Sequence, residues 1–106
     1  MTRDQRSRFE LEVLRDTKTV LKGYAEVFCR ESVSYKTELR RSAAKGAKYS
    51  SEVAIYFFDE NGLFDVLEFF VYFQGEPAVS KEEITGWLRN NIDDVLRRKS
   101  RQRGNW

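Results

Sequence analysis

Between Phe9 and Phe28 apolar residues return every three or four positions, the spacing of one face of a helix. Phe9, Val13, Leu14, Thr17, Val20, Leu21, Tyr24, Ala25, Val27 and Phe28 project to one side, while Glu12, Arg15, Asp16, Thr19, Lys22, Gly23, Glu26 and Arg30 fall opposite. Ser7-Arg8-Phe9-Glu10 has the S-x-x-E form of a capping box, in which serine oxygen and glutamate carboxylate satisfy backbone N–H groups at a helix start. The pattern predicts one helix from Ser7 to Arg30, with Gly23 costing it about 1 kcal/mol relative to alanine. A strand built on the alternation of Phe9, Leu11 and Val13 is the competing reading of its beginning.

From Ser32 the period falls to two. Val33, Tyr35, Thr37 and Leu39 alternate with Ser34, Lys36, Glu38 and Arg40, as in a half-buried strand whose charges protect an edge. Residues 42–48, with Ala43, Ala44 and Gly46, read as a mobile connection. A hairpin follows, with strands over residues 52–58 and 63–74 around Asp59-Glu60-Asn61-Gly62. A two-residue Asn61-Gly62 loop would bury Glu68. A three-residue loop with Gly62 in a bulge sets Asp59 opposite Leu63, so that Val53, Ile55 and Phe57 share a face with Leu67, Phe69, Val71 and Phe73, and only Asp65 is polar there. The bulged loop is the expectation. Ser80-Lys81-Glu82-Glu83 is a second capping box, and Ile84, Trp87, Leu88, Ile92, Val95 and Leu96 form the stripe of a second helix closed by Arg97, Arg98 and Lys99.

The elements predict an α+β fold in the order α-β-β-β-α, a two-layer sandwich in which an antiparallel three-stranded meander carries both helices on one face. Its second face would then present Ala54, Tyr56, Phe58, Phe64, Val66, Phe70 and Tyr72, interrupted by Glu68. A face meant for water alternates to polar residues, and these strands do not. Large exposed apolar patches mark interfaces, so Tyr56, Phe58, Phe64, Phe70 and Tyr72 are the expected partner-binding residues, with a homodimer the leading arrangement and another protein the next. The competing structural explanation folds helix one, or the first strand and residues 42–50, across that face.

At 106 residues the chain has room for one core, so a single domain over residues 1–106 is expected, with residues 1–6 and 100–106 fraying, and no apolar stretch reaches the roughly 20 residues a membrane span requires. The charged first residues contain no apolar leader core, which makes the cytoplasm the expected compartment. With a single cysteine, Cys29, and no histidine, neither a disulfide nor a zinc site is expected, and the usual general base near neutral pH is missing. Cys29 itself reads as a small buried hydrophobe at the border of the helix face. No nucleotide-binding glycine pattern occurs. No cofactor or metal is expected.

The net charge of +2 hides a strong segregation: residues 1–49 hold twelve bases and seven acids, residues 50–96 two bases and ten acids, and residues 97–106 five bases and no acid. Either these blocks complement one another within the molecule or they mark surfaces for charged partners. The basic end, Arg97, Arg98, Lys99, Arg101 and Arg103, is the one feature pointing to nucleic acid, with sheet aromatics available to stack on unpaired bases. The element order is also that of the double-stranded RNA-binding domain. However, the second helix opens Ser80-Lys81-Glu82-Glu83-Ile84, placing two acids where that family has a glycine- and lysine-rich start, so no membership follows. Asp59, Glu60, Asp65 and Glu68 cluster in the hairpin and are the only candidates for carboxylate catalysis. The leading expectation is a non-enzymatic protein-binding or adaptor protein; RNA or single-stranded nucleic-acid binding is the alternative, and a carboxylate enzyme a distant third.

Overall fold

The computed structural model describes residues 2–42 and 48–104, with side chains as far as Ser100. Its elements are α1 (Arg3–Lys22), α2 (Ala25–Arg30), β1 (Ser34–Ser42), β2 (Ser50–Asp59), β3 (Gly62–Phe73), β4 (Glu76–Pro77) and α3 (Lys81–Gly104). The α+β class and the order of helix, strands and helix follow the expectation, with the two-residue β4 added to the meander. The sheet is antiparallel in the order β1-β2-β3-β4, which puts β1 on an edge as its lysine and arginine spacing predicts. Residues 43–47 of the connection expected to be mobile lie outside the described residues.

The first helix departs from expectation at both ends. It is capped by Thr2, whose hydroxyl accepts from Gln5 N at 3.2 Å while Thr2 N donates to Gln5 Oε1 at 2.9 Å. The cap lies earlier than Ser7 because the Glu10 carboxylate is engaged elsewhere, by Arg41 and Tyr49. Residues 3–6, expected to fray, are thus the first turn of α1, and residues 100–104 are likewise helical within α3. At Gly23 the helix stops: Gly23 N and Tyr24 N donate to Val20 O and Leu21 O, each at 3.0 Å, a tightened last turn. The chain resumes as α2, which carries Phe28 against Tyr35 and Phe57. Ser32, at φ 56, closes α2 as Val33 N bonds back to Phe28 O at 2.8 Å.

Across the hairpin the middle register is the expected one, Val53 opposite Phe69, Ile55 opposite Leu67 and Phe57 opposite Asp65. The turn differs. Asp59 pairs with Gly62, leaving Glu60 and Asn61 at the tip, and the extra residue is Phe64, in a register shift beside Phe57 and Phe58. A second shift, between Ser51 and Glu52, leaves Val71 without an opposite residue and sets Tyr72 against Ser51. It was not expected, and it exchanges the directions of the residues that follow. Tyr72 turns into the core and is 1% exposed, while Phe73 turns outward at 47%.

The core is one layer between helices and sheet. Val13 and Leu21 of α1, Phe28 of α2, and Ile84, Leu88, Ile92 and Val95 of α3 are buried together with Val53, Ile55, Phe57, Leu67, Val71 and Tyr72. Both long helices therefore lie on one face of the sheet. No helix among the described residues is long and apolar enough to cross a membrane.

Candidate functional site

The five residues assigned to the outward sheet face divide. Tyr72 is sealed in the core beside Phe9 and Tyr49, at ring separations of 5.7 and 6.1 Å, because the bulge at Val71 reverses its direction. Phe64 is drawn towards the core by the other bulge and packs near Phe57 and beneath the Lys99 ammonium. Tyr56, Phe58 and Phe70 stay outside. A charged stripe crosses between them: Arg40 bridges Glu52 at 3.0 Å and Glu68 on the next strand, while Tyr56 Oη donates to Glu38 at 3.3 Å. Ala54 is fully buried beneath this stripe, and Tyr56 and Phe58 are half-buried. Glu68, which interrupts the apolar pattern in the sequence, is thus one end of an ion-pair network.

Exposed aromatic surface gathers instead where β3 ends. Phe70 and Phe73 lie 4.8 Å apart on the outer face, and Phe69 meets Trp87 of α3 edge-on at 5.3 Å. A groove of about 350 Å³ runs between them, floored by Val79 and Ile84. Phe70, Phe73 and Trp87 are 43, 47 and 37% exposed. Beside the groove β3 is open: β4 pairs only with Tyr72 and Phe73, and Ala78 N donates to Val71 O at 2.9 Å. Along residues 62–70 no strand among the described residues covers the outer edge. Sequence reasoning assigned Phe73 and Trp87 to the core. Trp87 does fall on the apolar stripe of α3, but it sits where the helix overhangs the edge of the sheet.

No family model matches the chain, and no curated protein or solved structure matches it.

The basic end of α3 is largely occupied. Arg97 pairs with Asp94, Arg98 Nη2 lies 2.6 Å from Asp65, and Lys99, 3% exposed, lies 3.8 Å from carboxylates of both Asp59 and Glu60. The side chains of Arg101 and Arg103 lie outside the described residues. The four hairpin carboxylates do not converge on a shared site: Asp59 and Glu60 face Lys99, Asp65 holds Arg98, and Glu68 is taken by Arg40 on the other side of the sheet. Among the described residues no three acidic or cysteine side chains are grouped to hold a metal ion. Cys29, expected to be buried, is exposed on α2.

A second polar cluster, not foreseen in the sequence, sits where α1 crosses the ends of β1 and β2. Glu10 has no exposed surface, yet it accepts from Arg41 Nε at 3.0 Å and from the hydroxyl of Tyr49. Burial pushes its carboxyl up. Polar contacts with Ser51, Tyr49 and Arg41, together with the Arg41 charge, outweigh that and hold it below the ordinary value, although Ser51 Oγ does not reach hydrogen-bond geometry. Tyr24 makes a comparable long-range link: its hydroxyl meets Asp93 Oδ1 at 2.9 Å, and burial followed by this bond pushes it up to about 12.

Proposed function

We propose that the protein is a non-enzymatic binding protein that pairs with a second copy of itself through the Phe70, Phe73 and Trp87 ledge and the open edge of β3. The observation that carries this reading is the concentration, on one groove beside an uncovered strand, of three of the five large hydrophobic residues exposed among the described residues. A strand edge is its own complement about a two-fold axis, since an antiparallel copy offers the same row of donors and acceptors in reverse. Charge permits the approach. Asp65 and Glu68, the only charged residues of β3, are each paired with an arginine of their own chain, so two edges meet without uncompensated like charge. An exposed unpaired thiol at Cys29 suits a reducing compartment such as the cytoplasm.

Sedimentation velocity over a concentration series tests the reading. The wild type should dimerise. Phe73→Ser or Trp87→Ser should weaken association about 30-fold, the effect of losing an aromatic anchor worth about 2 kcal/mol, while Leu11→Ser on α1 should leave it unchanged. A wild type that remains monomeric throughout, or dimers indifferent to both ledge substitutions, overturns it.

A further inference from the structure

At the end of the molecule where α1 begins and β1 gives way to β2, Arg3, Arg6, Ser7, Arg41 and Tyr49 line an open cleft of about 530 Å³. Among the described residues no carboxylate lines it. Arg40, Arg97 and Arg98 each lie against an acid of their own chain. By contrast, neither Arg3 nor Arg6 forms an ion pair among the described residues. The Arg6 guanidinium instead lies over the Tyr49 ring, 3.7 Å from its centre, which keeps the cation in place without neutralising it.

Beneath the cleft lies the fully buried Glu10, which accepts hydrogen bonds from two cleft residues: Arg41 through Nε, and Tyr49 through its hydroxyl. One carboxylate thus fixes two walls of the site while three arginines line it, leaving two positive charges without an ion-pair partner among the described residues. Planar guanidinium forks at fixed positions, with a hydroxyl beside them, are suited to a tetrahedral oxyanion, which offers several acceptor oxygens to forked donors.

We infer that this cleft binds a phosphate group, carried either by a small phosphate ester or by a polynucleotide backbone. The site is separate from the basic end of α3, whose described cations are held by acids, and it is independent of the β3 ledge.

The test is isothermal titration of the full chain at low salt with two probes, pyrophosphate and a single-stranded oligonucleotide. Arg3→Gln/Arg6→Gln is the decisive variant, because neither side chain anchors the core, and Arg89→Gln on α3 is the control. Circular dichroism confirms that each variant folds. The wild type should bind at least one probe saturably, the double variant at least about tenfold more weakly, and the control as the wild type does. Binding of pyrophosphate alone identifies a small phosphate ester as the source. Binding of the oligonucleotide identifies the backbone, and the double variant should then lower the slope of log affinity against log salt by about 1 to 2. Failure of the wild type to bind either probe, undiminished binding by the double variant, or an equal loss in the control overturns the inference.

Discussion

Glu10 and Lys99 are the two charged residues buried among those described, and the fold treats them in opposite ways. Glu10 has an arginine and a phenol within bonding distance, so its charged form is favoured despite the loss of water. Its folded-state pKa lies below the ordinary 4.5, and its contribution to stability is therefore complete above that value and lost as pH falls through the lowered one. Glu10→Gln should cost about 1 to 2 kcal/mol near neutrality and flatten the loss of stability as pH falls below the ordinary carboxylate range, as read by urea denaturation at stepped pH. An acid limb as steep as that of the wild type would refute this. Lys99 is different: its ammonium lies 3.8 Å from two carboxylates and makes no hydrogen bond among the described residues. Pairing that loose offsets desolvation poorly, whereas the side-chain stem still fills space beside Phe64. Urea midpoints should show Lys99→Met equal to or more stable than the wild type, and Lys99→Ala less stable by about 2 kcal/mol.

At the scale of elements, two glycines in different backbone states make opposed predictions. Gly62 sits at φ +109 at the foot of the hairpin turn, where a side chain is strained even though a Cβ would meet no atom within 4 Å. Gly86 lies within α3 with the same open space and an ordinary helical backbone. Thermal unfolding should place Gly62→Ala about 1 kcal/mol below the wild type and Gly86→Ala about 0.5 to 1 kcal/mol above it. The central register of the hairpin is legible because, of the two pairings the turn allows, only one keeps Glu68 off the face of Val53, Ile55 and Phe57. The bulges are not. Phe69, Phe70, Val71, Tyr72 and Phe73 are all apolar, as are Leu63 and Phe64, so a period of two carries no information there about which residue points where. That ambiguity put Tyr72 on the wrong face and hid Phe73. The start of α1 was misplaced for a related reason: two capping sequences compete locally, and the Glu10 carboxylate is claimed by residues more than thirty positions away.

On the scale of the whole molecule, Cα extents of 51 × 27 × 17 Å describe a plate too thin for a third layer over the outer sheet face. That face manages its own exposure by the Arg40, Glu52 and Glu68 network, and the surplus apolar surface shifts to the ledge where association is expected. Charge is arranged along the plate. Acids of the hairpin meet bases of α3 within one chain, while Arg3 and Arg6 at the start of α1 form no ion pair among the described residues. The sequence by itself determined the order of helix, strands and helix, the apolar side of each helix and the middle register of the sheet, because these follow from local periodicity and from the one turn pairing that keeps Glu68 off the core face. Only tertiary packing decided where Tyr72 and Phe73 point, that Glu10 is buried with Arg41 and Tyr49, and that the basic end of α3 meets acids of the hairpin. Each of these depends on which distant groups compete for the same volume or the same charge, and no local repeat encodes that competition.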